Sequence, residues 1–522
     1  MSGRAKYYLT TAISYINGPP HLGHAYEAIA SDVLARFKRL DGFDVMFLTG
    51  TDEHGQKVAR QAEAEGKEPR VHADEIAQTF RGMVELLNIS NDDFIRTTEP
   101  RHYASVTALW EVLAAAGEIY PGKYEGWYSV RDEAFFAEKE LTKGEGGKLF
   151  APGGAEVEWV DEPTYYFRLS NWGDRLLEHY EAHSDFILPL TRRNEVVNFV
   201  KQGLEDLSIS RTTFDWGVPV PGAPGHVMYV WLDALTNYIT GVGYPDTEDA
   251  KYKKYWPADV HMIGKDIVRF HAIYWPAFLM AAGIELPKRV FGHGFLNLEG
   301  EKMSKSLGNV LTPEAIVGEY GLDQIRYFLL REVPFGGDGA FSHEAIVRRI
   351  NADLANDFGN LAQRILSMIA KNCDGVLPEP GALKDGDRTL LAAARDDLAG
   401  TTRGHVEQQA FHAALREFMA VIGSANAYVD EQAPWALAKT DRERMGSVLW
   451  VVAEVVRCLA VLAQPFVPDA AAKLLDQLAV PEDARTFKHL VESHALNPGT
   501  PLPKPQGVFP RYVEAKTGEG GT

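Results

Sequence analysis

Apolar and polar positions change period several times along the chain, and each change predicts a different element. Residues 6–13, KYYLTTAI, are β-branched and aromatic and predict a strand. The turn Asn17-Gly18-Pro19-Pro20 follows. Then Leu22, Ala25, Ile29, Val33, Phe37 and Leu40 recur at spacings of three and four, which predicts an amphipathic helix over 21–40, ended by Gly42. FDVMFLTG, 43–50, is a continuous apolar run of the kind that forms a buried parallel strand. Strand, helix and strand make a βαβ unit, hence an α/β domain with a parallel sheet. A helix at about 55–66, a strand at about 93–98 and a helix at about 101–116 extend it.

Near residue 117 the pattern changes to short aromatic strands with glycine turns, and helical spacing resumes over 171–204. A proline- and glycine-rich crossing, 215–226, leads back to α/β grammar, with buried strands expected at 226–230, 259–264 and 289–295. The sheet is therefore read as one nucleotide-binding sheet interrupted by an insertion of about 100 residues. From about 346 the chain has helical period over 349–371, 387–430 and 440–464, which predicts a bundle interrupted by Pro468 and Pro481. The division expected is 1–116 with 217–290 for the split sheet domain, 117–216 for the insertion, 291–345 for a connecting region and 346–496 for the bundle. The tail, 497–522, is rich in proline and glycine and is expected to fray.

Composition narrows the function. With 45% hydrophobic and 24% charged residues, the 522-residue chain is ordinary for a globular protein. A formal net charge of −19 argues against coating DNA or an anionic membrane, although a local basic patch can still take a nucleic acid. Arg348, Arg349, Arg364 and Lys371 lie on neighbouring turns and are expected to make such a stripe. The two cysteines, Cys373 and Cys458, exclude a disulfide framework and a four-cysteine zinc site. The start, MSGRAKYYLTTAI, has no apolar leader, and no apolar run reaches the length of a membrane span, so a cytoplasmic protein is expected.

Two motifs carry candidate chemistry. NGPPHLGH, 17–24, places His21 and His24 on one face of a helix start, directly after a strand. Three readings are open: a metal site, a phosphate site, or two ordinary histidines at a helix start. Helix N-termini suit phosphate, Gly23 lets a ligand approach the backbone, and no third metal ligand is placed nearby. EKMSKSLGN, 301–309, carries Lys302 and Lys305 among small polar residues after a glycine-spaced stretch. Lysine is a flexible point charge suited to polyphosphate, and a solvated loop is the alternative.

In this order and at this spacing, HLGH at 21–24 and KMSKS at 302–306 resemble the two signatures of the class I aminoacyl-tRNA synthetases. AISYINGPPHLGH, GTDEHG (50–55), YVWLDALTNY (229–238), IGKDIVRFHAIYWPA (263–277), HGFL (293–296), EKMSKSLGN and YVDEQAPWALAK (428–439) resemble the bacterial methionyl-tRNA synthetases in particular, over most of residues 5–470. The resemblance implies an α/β fold: a Rossmann-type parallel sheet split by a connective-peptide insertion, followed by an α-helical bundle that binds the anticodon. Residues 291–345 become the KMSKS and stem-contact region. The implied partners are ATP with Mg2+, L-methionine and tRNA(Met), with no membrane and no DNA.

The resemblance also implies site residues. Ile13, Tyr15, Asp52, Trp231, Ala234, Leu235, Tyr238, Ile267 and His271 match the methionine pocket, with Leu235 where many relatives carry proline. Asp52 also reads as an N-cap for the next helix, and the stripe Trp231, Ala234, Tyr238 also reads as core packing. His21, Gly23, His24, Glu27, Gly264, Asp266, His293 and Lys305 match the ATP site. Asp266 also reads as an N-cap and Glu27 as a solvated face residue. Asn360, Arg364, Pro434 and Trp435 match the anticodon-reading positions; Trp435 also reads as bundle core, in the apolar run APWAL.

One departure stands out. Residues 117–215 contain no cysteine, so the zinc knuckles of many relatives are missing. No structural zinc is expected, and Tyr124, Trp127, Tyr128, Phe135 and Phe136 are expected to hold that lobe by packing. The insertion is too short for a separate editing domain, and a monomer is expected. His21, His24, Lys302 and Lys305 would stabilise charge as the methionine carboxylate displaces pyrophosphate from ATP. Three alternatives remain: another class I synthetase, a small-molecule nucleotidyltransferase of the same superfamily, and a non-catalytic tRNA-binding relative.

Overall fold

The first quarter of the chain follows its hydrophobic pattern closely. In the computed structural model it forms β1 (Lys6–Thr11), β2 (Ser14–Tyr15), α1 (Leu22–Leu40), β3 (Asp44–Asp52), α2 (Gln56–Ala64), α3 (Pro69–Leu86), β4 (Asp93–Arg96) and α4 (Pro100–Ala115). Helix α3 is not marked by the apolar pattern, because its buried face is made of His72, Ala73, Ala77, Phe80 and Met83. Next come β5 (Ile119–Ser129), β6 (Ala134–Phe136), β7 (Thr142–Lys143), β8 (Leu149–Phe150), β9 (Glu158–Phe167), α5 (Gly173–Ala182), β10 (Ile187–Leu188) and α6 (Leu190–Lys201). β11 (Leu207–Ser208), β12 (Ser210–Arg211), β13 (Val227–Met228), α7 (Val230–Leu235), α8 (Asn237–Thr240), α9 (Ala250–Tyr255), β14 (Val260–Gly264), α10 (Trp275–Ala281) and β15 (Val290–His293) complete this part. The structure describes residues 4–514 other than 130, 132–133, 137, 145–146, 299–300 and 303–311.

Residues 6–20 and 46–293 form one compact unit; the described residues of 1–5, 21–45 and 294–522 form another. The first is organised by a seven-stranded sheet in the order β10-β15-β14-β1-β3-β2, with β4 beside β3. Its pairings β10–β15, β14–β15, β1–β14, β2–β3 and β3–β4 are parallel. Tyr8, Leu9, Phe47, Leu48, Met262, Ile263 and Val290 are buried in it. Each large apolar side chain withdrawn from water contributes about 1.5–3 kcal/mol. Parallel sheets bind ligands at the carboxyl ends of their strands. Here those ends bring Tyr15 beside Asp52 and Gly264 beside His293 as direct register partners.

Two expectations about this unit are corrected. The strand expected at 226–230 is not in the parallel sheet: β13 is two residues long and pairs antiparallel with β12, because Tyr229 already leads into α7. The segment 171–204 is not simply part of the insertion, since β10, between α5 and α6, pairs with β15 as an edge strand of the main sheet. The insertion proper is the antiparallel sheet β11-β9-β5-β6. Trp127 meets Trp159 edge-on across it at 5.2 Å. Trp127 and Phe136, two of the aromatics expected to hold the lobe, pack on Ala151, Ala155 and Val157; the Phe135 side chain lies outside the described residues.

The second unit holds α1 and the carboxyl-terminal half: β16 (Leu296–Leu298), β17 (Glu301–Lys302), α11 (Pro313–Tyr320), α12 (Leu322–Glu332), β18 (Gly339–Phe341) and α13 (His343–Arg349). A π-helical stretch, Ile350–Gly359, runs into α14 (Asn360–Asn372), followed by α15 (Asp385–Ala392), α16 (Leu398–Glu407), α17 (Phe411–Gln432), α18 (Pro434–Thr440), α19 (Arg442–Ala463) and α20 (Pro468–Gln477). Helix α1 is buried on more than its apolar stripe. Tyr26 meets Phe335, Phe37 meets Phe487, and Lys38 pairs with Glu407. Asp32 and Arg326 are both fully buried and pair at 2.6 Å; Arg326 also donates to the carbonyls of Pro465 at 2.8 Å and Phe466 at 3.2 Å. One guanidinium therefore joins α1, α12 and the turn between α19 and α20.

Helix α19 is long and apolar enough to cross a membrane by length and composition, and its apolar stretch is wholly buried. Pro468 ends no helix from within; it opens α20 at a first-turn position, where its missing N–H costs nothing. The tail does not fray over its described residues. The Leu377 and Leu502 N–H groups bond the carbonyls of Thr500 and Gly375, and Phe509 packs on Phe358. Tyr512 lies beside Tyr320 and His343.

Arg326→Met takes the guanidinium partner at 2.6 Å away from the buried Asp32 carboxylate. We expect a loss of about 3–5 kcal/mol in urea unfolding; a loss below about 1 kcal/mol would contradict the role given to this pair.

Candidate functional site

The HLGH stretch is first of all a helix cap. His21 is the N-cap of α1; its Nδ1 accepts the Gly23 N–H at 3.0 Å, and His24 Nδ1 accepts the His21 N–H at 3.2 Å. The two rings stack at 3.9 Å. With both Nδ1 atoms accepting, the neutral rings carry their protons on Nε2, where each is a donor suited to a phosphate oxygen. Gly23 is needed here: a Cβ on it would come within 2.8 Å of the His21 ring. The capping and phosphate readings are thus compatible. Glu27, one turn on, is half-buried.

In the sheet unit, the predicted amino-acid pocket residues gather at the strand ends and on α7, α8 and the turn after β14. Tyr15 is the register partner of Asp52, and the Ile16 N–H donates to the Asp52 carbonyl at 3.2 Å. Asp52 is buried at the end of β3 and is not an N-cap: α2 begins after Gly55 with no side-chain cap. Trp231 stacks on Phe270 at 3.6 Å and 8°. The Tyr238 hydroxyl lies 2.6 Å from His271 Nε2, and His271 Nδ1 lies 2.9 Å from the Ile267 carbonyl. Since a carbonyl only accepts, the His271 proton is on Nδ1 and Tyr238 donates to Nε2. Ile13, Tyr15, Trp231 and Ile267 are partly buried against the core, while Ala234 and Leu235 are buried. Tyr238 also stacks on buried His261, whose Nδ1 lies 2.8 Å from Thr10 Oγ1.

Gly264 and Asp266 also form a local pair. Asp266 is exposed and caps no helix; the short helix Lys265–Ile267 has Gly264 as its N-cap. The Asp266 carboxylate folds back so that a Cβ on Gly264 would come within 2.6 Å of its Oδ1. His293 is buried at the end of β15.

Sequence reasoning missed a buried polar cluster behind this pocket. Asp233 is fully buried, with His54 Nδ1 at 2.6 Å and His102 Nε2 at 2.7 Å from its two oxygens. Burial pushes the Asp233 carboxyl up, but the two histidines outweigh it and hold it at about 2. Next to His54, the buried Glu53 carboxylate accepts from Thr51, Thr98 and the Arg96 guanidinium. The only signal in the sequence is the run of ionisable groups in TDEH, because the partners lie far along the chain. Phe270 was also missed; a π-helical turn, Phe270–Tyr274, alters the spacing there.

In the helical unit, Trp435 is 48% exposed and so is not bundle core. Arg364 lies over its ring at 5.9 Å and pairs with Asp430 at 3.0 Å. Asn360 is exposed one helical turn before Arg364. Pro434, by contrast, is buried as the first residue of α18 and holds the turn rather than facing outward. Ala433 before it takes a left-handed φ of 44°, a strain of the kind found where a loop presents a functional side chain. The expected basic stripe is not bare: Arg348 and Arg349 both pair with Glu332, and Arg364 with Asp430, so carboxylates cover much of that charge. Lys302 lies in β17 opposite Asn297. Lys305 lies outside the described residues.

Comparison with known proteins agrees with this geometry. Residues 7–147 and 151–366 match the family described as tRNA synthetases class I (M), and residues 377–519 the anticodon binding domain of methionyl tRNA ligase. The chain is 62% identical over 511 residues to a methionine–tRNA ligase of Mesorhizobium japonicum, covering 98% of each. It is similar to the Mycobacterium tuberculosis methionyl-tRNA synthetase in complex with methionyl-adenylate, with a TM-score of 0.95, 56% identity and coverage of 97% of this chain and 100% of that one. The apo form of the M. tuberculosis enzyme gives a TM-score of 0.89 at 52% identity, covering 98% and 99%.

The buried histidine of the pocket sets a pH dependence. Burial holds the His271 imidazole at about 4 rather than 6.5, against a smaller upward pull from the Ile267 carbonyl. The unfolded chain therefore takes up this proton first as pH falls. The stabilisation is complete above about pH 6.5 and is lost on the way down to about pH 4. NMR of histidine-labelled protein should show this ring neutral at pH 5.5; titration near pH 6.5 would contradict the burial argument.

Proposed function

The chain belongs to the class I methionyl-tRNA synthetases, and on that premise we propose how its residues share the work of a methionine–tRNA ligase. The reaction has two steps. A methionine carboxylate oxygen attacks the α-phosphorus of ATP, forming methionyl-adenylate and releasing pyrophosphate. A hydroxyl of the terminal tRNA ribose then attacks the methionyl carbonyl, its proton is lost, and AMP leaves.

The reading rests above all on the register that sets Tyr15 beside Asp52 at adjoining strand ends. In this proposal Asp52 takes the methionine ammonium, a carboxylate matched to the one cationic group of the substrate. Trp231, Tyr238, His271, Tyr15, Ile13 and Ile267 line the thioether chain, with Ala234 and Leu235 behind. Neutral His271, donated to by Tyr238, adds no charge to an apolar wall, and sulfur lies favourably against aromatic edges.

His21 and His24 donate from Nε2 to phosphate oxygens, and Gly23 leaves the backbone open. Gly264 and Asp266 take the ribose hydroxyls, with Glu27 and His293 contributing to the adenosine side. Lys302 and Lys305 meet the negative charge of the polyphosphate. ATP enters with a divalent metal, which we assign as Mg2+. No protein nucleophile is required, because positioning and charge stabilisation suffice for phosphoryl chemistry.

For the second substrate, Trp435 offers a stacking face and Arg364 and Asn360 hydrogen bonds to an unstacked anticodon base. Pro434 sets the turn that carries Trp435. These roles divide between the split sheet domain, with the edge strand Ile187–Leu188 counted in it, the connective insertion, the stem-contact region and the bundle. The cytoplasm, where tRNA is charged for translation, is the proposed location.

Lys305→Ala should lower the rate of methionine-dependent ATP–pyrophosphate exchange by about 100-fold, with methionine affinity within about twofold. An unchanged rate would contradict its role. Trp435→Ala should raise the KM for tRNA(Met) roughly 10-fold in aminoacylation and leave the exchange rate unaltered. Unaltered tRNA kinetics would remove Trp435 from the anticodon surface.

A further inference from the structure

We propose that Asp233 is a positioning residue for methionine: with His54 and His102 it forms a buried clasp that fixes the helix carrying Trp231, Ala234 and Leu235 against the strand end carrying Asp52. The inference rests on the reading of those residues as the methionine pocket.

Asp233 lies within α7, between Trp231 and Ala234, and its side chain is fully buried. His54 stands two residues beyond Asp52, just past the end of β3, and His102 belongs to α4. Three elements distant in sequence thus converge on one carboxylate, at 2.6 Å and 2.7 Å. His54 is held from both sides. Its Nδ1 faces Asp233, and the Tyr103 hydroxyl lies 3.0 Å from its Nε2. Tyr103 keeps its phenolic proton, pushed up to about 12 by burial and by the Asp233 charge. On the other side, the Thr240 hydroxyl of α8 lies 3.3 Å from His102 Nδ1 and 3.0 Å from the Thr236 carbonyl. The segment after α7, which carries Tyr238, is therefore tied to the same cluster.

Helix α7 spans only Val230–Leu235 and has no side-chain cap at its N-terminus, so no cap sets its register. A carboxylate withdrawn from water must keep its donors. Moving α7 along its axis would pull Asp233 from both imidazoles at once, and the clasp therefore resists a slide that would shift Trp231 relative to Asp52. Binding sites tolerate displacements of only a fraction of an ångström before affinity falls.

The test uses the full chain in methionine-dependent ATP–pyrophosphate exchange, with active-site titration to count competent molecules. Asp233→Asn should raise the KM for methionine at least about tenfold, with the KM for ATP within about twofold. Tyr103→Phe keeps the ring against His54 and removes only the hydroxyl. It should raise the methionine KM about two- to fivefold without a change in melting temperature, and it decides the matter if Asp233→Asn does not fold. A methionine KM within about twofold of the parent in both variants overturns the clasp. So does a parallel rise in both KM values, or a loss confined to the competent fraction, because either marks a purely structural role. Asp52→Ala serves as the reference: if it leaves the methionine KM unchanged, the pocket reading itself fails, whereas a rise there with none in Asp233→Asn and Tyr103→Phe rejects the clasp alone.

Discussion

Strand β3 ends at Asp52, with Glu53 and His54 directly after it, and burying these three ionisable groups is the constraint on which the proposed amino-acid pocket depends. Glu53 is fully buried and is satisfied on every side: Thr51 and Thr98 donate at 2.6 Å and 2.5 Å, and Arg96 at 2.6 Å and 2.9 Å. Its carbonyl accepts the Trp216 indole N–H at 2.6 Å. His54 in turn is held by Asp233 and Tyr103. With both following neighbours pinned, the backbone at Asp52 has little freedom, and the pairing with β2 pins it from the other side. The charges are costly to bury and would stabilise little by themselves. Their effect is geometric, since each partner comes from a different element.

The same physics recurs around α1 in the other unit. Asp32 and Arg326 are a buried pair of long sequence separation, and Arg326 also donates to the carbonyls of Pro465 and Phe466. The helix whose first turn carries HLGH is thereby fixed to the turn that joins α19 and α20. At its start, His21 and His24 cap the helix through Nδ1. The same pair that starts the helix is proposed to meet phosphate, and so the stretch reads both as a cap and as a binding motif.

Much of this was legible in the sequence. The spacing of Leu22 to Leu40 returned α1 to within a residue, and the apolar run of β3 placed Asp52 at a strand end. The motifs GTDEHG and YVWLDALTNY suggested pocket residues by resemblance, and in the structure Tyr15 lies beside Asp52 while Trp231 and Tyr238 both lie beside His271. What escaped was set by partners rather than by pattern. Asp233 reads as one polar residue on a short helix until His54 and His102, 179 and 131 positions away, arrive beside it. Phe270 escaped because a π-helical turn breaks the regular spacing. The basic stripe is partly covered because Glu332 and Asp430 come from helices that periodicity alone cannot bring opposite Arg348, Arg349 and Arg364. Over its described residues, the tail is held by hydrogen bonds to residues it meets only in the folded chain.

The central claim is that Asp52, held rigid at the end of β3, recognises the ammonium of methionine. Calorimetric binding of L-methionine and of its desamino analogue to the parent chain and to Asp52→Ala tests it most directly, as a cycle between one side chain and one substrate group. The account predicts that removing the ammonium weakens binding at least about tenfold in the parent and less than about twofold in Asp52→Ala. Equal losses in both proteins would mean that the ammonium is recognised elsewhere, and would contradict the account.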